Sequence, residues 1–203
     1  IEAHVAEMLE ASPMRVKPRC RHYGFRERKG EGCGGCTFQS LSYRHQLACK
    51  ERTVKRVMAD RQLDPGVVRP MKGGQEPWFY RNNMEFSFGD TDEREFALGL
   101  YPTGYTYEIL NLEECFLQSS FVSDFVPAAR RWAIESGIEP YINSKDRGFA
   151  RTLTVREGKR TGQRMINLMT THAEMARFGG SEVPAREVAE AFAGFVREYA
   201  SQV

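Results

Sequence analysis

Cys33-Gly34-Gly35-Cys36 places two thiols three residues apart with only glycines between them. Thiolates at that spacing can hold one metal or cluster, because the glycines let the backbone wrap closely and aim its amides at sulfur. Two more cysteines extend the set: Cys20 precedes it in "RVKPRCRHYG", and Cys115 lies far downstream in "LEECFLQ". Four thiolates complete either a tetrahedral zinc site or an iron–sulfur cluster. Structural zinc usually draws on two close pairs, so three cysteines in one region plus a distant fourth lean towards a cubane cluster and leave zinc open. The chain has five cysteines, and an odd count without an export signal argues against a disulfide framework. The fifth, Cys49, sits in a helical pattern beside an apolar stripe and reads as a packed thiol. His22, His45 and His172 have no partner motif and read as surface or loop residues.

Charge is the second chemical feature. The formal net charge of the 203 residues is only +2, yet from Arg15 to Lys29 seven cations stand against one acid, Glu27. Arg19, Arg21, Arg26, Arg28 and Lys29 belong to this run, and beside the cysteines it reads as a surface for phosphates. A composition 41% hydrophobic and 28% charged is that of an ordinary globular chain. No stretch approaches the roughly 18 apolar residues of a membrane span. "IEAHVAEMLE" lacks an initiator Met and the basic-then-apolar order of a signal peptide, so the expectation is a piece of a longer, cytoplasmic protein.

The elements that must position these residues follow from periodicity. Residues 1–14 read as a tail and 15–38 as the basic, cysteine-rich loop. From Gln39 to about Asp60, Tyr43, Leu47, Val54, Val57 and Met58 form one helical stripe, with Ser40 or Ser42 as its cap. After a turn at Asp64-Pro65-Gly66, Phe79–Phe88 alternates: Tyr80, Met84, Phe86 and Phe88 share one face, Arg81, Asn83, Glu85 and Ser87 the other. "FALGLY" returns as a second strand and "TYEILNL" offers a third. A helix carries Val122, Phe125, Val126, Ala129, Trp132 and Ala133, with Pro127 expected to kink it or mark its start. "ARTLTVRE" and "RMINLMTT" flank "GKRTGQ" as another hairpin, "FGGSE" reads as a loop, and a last helix runs from about Pro184 to Tyr199. The fold class is α+β: an antiparallel sheet built from hairpins with flanking helices, plus a cysteine-rich cluster-binding loop.

In order along the chain, "SPMRVKPRCRHYG", "CGGCTFQSLSYRHQLACKERTVKRVM", "FYRNNMEFSFG", "ALGLYPTG", "EILNLEECFLQS" and "LTVREGKRTGQRMINLMTT" resemble the S-adenosylmethionine-dependent RNA (uracil-5-)-methyltransferases, in particular the iron–sulfur type acting on 23S rRNA. The resemblance spans about Ser12 to Thr171. It implies that Cys20, Cys33, Cys36 and Cys115 ligate a [4Fe-4S] cluster with a structural or RNA-facing role. It also implies that Arg81 and Asn83 face RNA on a central RNA-binding domain, residues 39–178. Residues 1–14 would be the remnant of a preceding OB-type domain, and 179–203 a helix leading to a methyltransferase domain that binds S-adenosylmethionine. In that family a cysteine adds to C6 of the base, C5 takes the methyl group, and a carboxylate removes the C5 proton. No residue of this chain is assigned to those steps. The departures are the twelve residues between Cys20 and Cys33, a longer spacing than is usual in the family, and the missing cofactor-binding turn. The implied partner is RNA, most of all 23S rRNA, with no DNA or membrane. The alternatives are a tRNA enzyme of the same family and a stand-alone zinc- or cluster-binding RNA-binding module.

Overall fold

The computed structural model describes residues 9–24, 32–91, 93, 95–104 and 106–202. Arg26, Arg28 and Lys29 lie outside the described residues, as do residues 1–8 of the expected tail. Alternation of apolar and polar side chains produces β1 (Asn83–Asp90), β4 (Ala150–Glu157) and β5 (Arg164–Thr170), while β2 (Phe96–Leu100) alternates large with small apolar residues, and a short β3 (Leu110–Asn111) lies at one edge. They form one antiparallel sheet in the order β3-β2-β1-β4-β5. Register is set by the buried face, since a one-residue slip would turn every apolar side chain to solvent. Phe88 lies opposite Leu98, and Phe86 opposite Leu153. Met84, Phe86, Phe88, Leu98, Leu153 and Val155 are buried, while Asn83 and Glu85 on the other face are exposed. Gly99 is required by close approach: a Cβ there would lie 1.9 Å from the Leu110 carbonyl oxygen of β3.

The inner face is covered by α2 (Ser120–Glu135), which buries Phe121, Val122, Phe125, Val126, Ala129 and Ala133. Pro127 lies inside this helix and neither starts nor ends it. Its missing amide costs roughly 3 kcal/mol in a helix interior, and the four large apolar side chains buried ahead of it outweigh that cost at roughly 1.5–3 kcal/mol each. Beside α2 lies α3 (Ala185–Gln202), joined to it by a layer of rings and turning Val188 and Phe192 towards Ile166 and Leu168 of β5. Phe125 stacks on Phe195 at 5.8 Å and meets Tyr199 at 5.2 Å, and Trp132 meets Phe192 at 5.3 Å.

A second hairpin pairs β6 (Met175–Phe178) with β7 (Ser181–Pro184). It corrects the loop expected at "FGGSE": Gly179 and Gly180 have φ of +59° and +83°, the left-handed pair that a two-residue hairpin turn demands. Tyr80 is the other correction. It precedes β1 and is 60% exposed, because Phe79 adopts φ +54° and breaks the alternation there.

The helix α1 (Tyr43–Asp60) starts at Ser42, whose hydroxyl bonds His45 Nδ1 at 2.6 Å and makes no capping bond to the backbone. Two of the expected apolar stripes meet different fates. That of α3 is covered by α2, with Val188 and Phe192 buried, whereas α1 has no buried residue and leaves Val57 52% exposed. Only part of α1 is covered. The Tyr43 hydroxyl accepts the Gly74 amide, and Glu51 accepts that of Met71, so the segment after the turn lies across the helix.

Glu157, at the end of β4, is a nearly buried carboxylate that accepts hydrogen bonds from the Ser119 hydroxyl (2.5 Å), Lys159 Nζ (3.2 Å) and Arg164 Nε (3.2 Å). Burial pushes its pKa up, and these bonds more than offset that, leaving it below the usual carboxylate value. A depressed carboxylate stabilises the fold fully above its unfolded pKa near 4.3, and that contribution is lost as pH falls through the folded value. Glu157→Gln should therefore destabilise at pH 7 by about 1–3 kcal/mol. It should also flatten the acid limb of a stability-versus-pH curve below about pH 4.3, measured by urea unfolding. An unchanged acid limb would remove Glu157 from that role.

Candidate functional site

Three segments bring the cysteines towards one another. The loop of Cys33 adds to the end of β2: Cys33 bridges Pro102, the Gly34 amide donates to the Tyr101 carbonyl at 2.9 Å, and the Thr103 amide donates to the Gly32 carbonyl at 3.0 Å. Cys20 is held by its own amide, which donates to Gln39 Oε1 at 3.1 Å. The next residues tie this segment to that of Cys115. The Arg21 amide donates to Glu114 Oε1 at 2.7 Å, and the Glu113 amide donates to His22 Nε2 at 2.9 Å. His22 is therefore a half-buried structural acceptor and not a free surface residue. Cys115 is fixed from the helix side, because its amide donates to Ser123 Oγ of α2 at 2.9 Å, and that hydroxyl donates to the Cys115 carbonyl at 2.7 Å.

The thiols of Cys20, Cys33, Cys36 and Cys115 are near enough to feel each other's charge. Burial pushes the Cys33 thiol up to about 11; the Gly35 amide, 3.3 Å from its sulfur, works the other way, and Cys36, Cys115 and Cys20 add to the rise. Cys115 is raised chiefly by burial, opposed by the amides of Leu117 and Gln118, with Cys36 adding to it. Cys20 is likewise raised by burial, opposed by the His22 amide, with Glu114, Cys115 and Cys36 adding to it. Three sulfurs thus already receive backbone amides, the arrangement that stabilises thiolates bound to a metal centre. Cys49 is on α1 and contributes to none of these shifts. Among the described residues, no group of three or more His, Cys, Asp or Glu side chains is arranged to hold a metal ion.

The expected RNA-facing residues fall in three places. Arg19 and Arg81 line a cavity of about 380 Å³ beside Cys36, together with Lys17 and Lys50. The Arg19 guanidinium lies 4.2 Å from the Phe116 ring centre, 5.2 Å from Phe79 and 5.5 Å from Trp78. Arg81 donates its amide to the Leu117 carbonyl and lowers the pKa of Cys115, so it stands between cavity and cysteines. Between Trp78 and Tyr80 is Phe79 in its left-handed conformation, held by its amide bond to the Phe116 carbonyl at 2.8 Å. Such backbone costs on the order of 1–3 kcal/mol and collects at ligand sites. Arg21 lies apart, its exposed side chain paired with Glu114 at 3.8 Å. Asn83 lies in a separate polar groove with Arg156, whose Nε donates to Asn83 Oδ1 at 3.1 Å, and with the Glu157 network. Sequence reasoning missed Lys17, Lys50, Phe38 and Trp78 as cavity residues; only the basic character around Lys17 hinted at them.

No family profile matches the chain. An uncharacterized RNA methyltransferase of Chlorobaculum tepidum is 32% identical over 191 residues, covering 87% of this chain and 38% of that protein. A 23S rRNA (uracil(747)-C(5))-methyltransferase of Pyrococcus abyssi is 34% identical over 163 residues, covering 80% of this chain and 35% of that protein. Among solved structures, the tRNA (uracil-54, C5)-methyltransferase of Pyrococcus abyssi with S-adenosyl-L-homocysteine superposes with a TM-score of 0.62 at 24% identity, over 82% of this chain and 35% of that one. It shares the fold. The chain therefore belongs to the RNA methyltransferase family over the stretch it shares with these proteins, a little over one-third of their length.

Proposed function

We propose that this chain is the metal- and RNA-binding segment of an RNA (uracil-C5)-methyltransferase that uses S-adenosylmethionine to methylate 23S rRNA, and that it holds a [4Fe-4S] cluster on Cys20, Cys33, Cys36 and Cys115. The observation that carries this reading is the gathering of those four thiols from three segments, with amides aimed at three of the sulfurs, beside a cation-rich cavity. The donor set fits the group. Three of the four ligands come from one region and the fourth from a distant one, and this favours the cluster over zinc, which usually draws on two close pairs. When bound, the cluster would supply cross-linking of the three segments. The chain's own residues do the rest: Gln39 and Ser123 anchor two of the cysteine backbones, and Arg81 sets a positive charge beside Cys115. The 23S rRNA substrate is carried over from the Pyrococcus abyssi relative's name. No residue here is assigned to methyl transfer or to the methyl donor.

Mass spectrometry of nucleosides from a strain lacking the gene tests the reading. Loss of 5-methyluridine from a 23S rRNA fragment, restored by the intact gene, is expected. Loss from tRNA alone would overturn the rRNA assignment in favour of the tRNA one. Unchanged 5-methyluridine in both RNAs would contradict the methyltransferase reading altogether.

A further inference from the structure

The cavity beside Cys36 has an unusual lining. It contains four cations, Lys17, Arg19, Lys50 and Arg81, and no carboxylate. Among those walls are rings left open to solvent: Tyr80 is 60% exposed and Phe38 45%. The first turn of α1 also borders it, at Ser42 and Tyr43, and carries no acidic residue to offset the positive end of the helix. Exposed rings with interspersed cations and no acids are the features by which proteins hold an unpaired nucleotide, stacking the base and pairing the phosphate. The volume of about 380 Å³ suits a ligand of that size, as such sites span about 300–1,000 Å³. Trp78 and Tyr80, on either side of the left-handed Phe79, both line this cavity. The groove around Asn83 differs on each point: its lining has no aromatic residue, and its buried acid, Glu157, is already paired with Lys159 and Arg164.

We propose that this cavity binds one unpaired nucleotide of RNA, its base stacked on Tyr80 and its phosphate among Lys17, Lys50 and Arg81. The proposal rests on the reading of the chain as an RNA-binding segment and adds a site to it. The base is read by its π-face, so the pocket accepts a splayed-out nucleotide without demanding one sequence. Gly35 and Cys36 form one wall, so the cysteine loop and the pocket share a backbone turn.

Two probes separate stacking from charge: a short oligouridine and an abasic ribose–phosphate chain of equal length. Fluorescence anisotropy on the full chain, purified anaerobically, should show oligouridine bound more tightly than the abasic chain. Tyr80→Ala should weaken oligouridine by roughly tenfold, leave the abasic chain unchanged, and so erase the difference. Arg81→Ala should weaken both and reduce the salt slope by about 0.7. Tyr80 is exposed, so the variant keeps the fold, which far-UV circular dichroism checks. Crosslinking of 4-thiouridine should map to Trp78, Tyr80 or Phe38. If oligouridine binds the wild type but Tyr80→Ala binds it equally well, or crosslinks fall only on residues 156–165, the pocket is overturned while RNA binding stands. If the wild type binds neither probe at low salt, the RNA reading itself fails.

Discussion

Cys115→Ser should abolish binding of the proposed cluster, whereas Cys49→Ser should leave it intact. The two residues have the same chemistry and differ in place. Cys115 is 7% exposed, its backbone is pinned to Ser123, and its sulfur already accepts the amides of Leu117 and Gln118. Cys49 is half-buried on α1, outside the set of mutually interacting thiols. Anaerobically purified Cys115→Ser should lose most of its iron and acid-labile sulfide. It should also unfold at lower temperature by more than an isolated substitution explains, that is, beyond roughly 0.5–3 kcal/mol, because metal binding free energy is folding free energy at such sites. Cys49→Ser should match the wild type in iron content and lie within the ordinary range for stability. Equal iron in both variants would break the assignment of Cys115 as a ligand.

Phe125→Ala should be the most damaging single change away from the cysteines. Phe125 is fully buried in α2 and touches three other rings, Phe121 at 5.4 Å, Phe195 at 5.8 Å and Tyr199 at 5.2 Å, and Phe195 is in turn stacked on Trp132 at 5.4 Å. This chain of rings fastens α3 to α2. Truncating a buried Phe typically costs about 3–5 kcal/mol in lost transfer and cavity, a large share of a total near 5–15 kcal/mol. The urea midpoint should fall accordingly with the slope unchanged. A loss below about 1 kcal/mol would mean that α3 does not depend on this layer.

The sequence made most of the scaffold legible and little of the cavity. Met84, Phe86 and Phe88 alternate with polar partners, so β1 is readable from its own residues, and so is the hairpin of β4 and β5. Both are long enough for a period of two to stand out. The strands β6 and β7 have only four residues each, too few for a period, and their Gly179-Gly180 turn was the one usable signal. Pro127 misleads because tertiary burial of Phe121 to Val126 overrides a local rule. Tyr80 misleads for the opposite reason, since a left-handed Phe79 is a local exception that no alternation reveals. The four cysteines could be grouped by spacing because sulfur chemistry limits what they can do together. The cavity could not, since Lys17, Cys36, Lys50 and Trp78 come from segments whose meeting is decided by the fold.

Under the proposed function, Cys20, Cys33, Cys36 and Cys115 jointly hold one cubane cluster. The most direct test is the iron and sulfide content of the anaerobically purified wild-type chain, with Mössbauer spectroscopy to identify the cluster. The expected result is about four irons and four sulfides per chain in a single [4Fe-4S] spectrum. One zinc per chain, with no iron taken up even on anaerobic reconstitution, would contradict it.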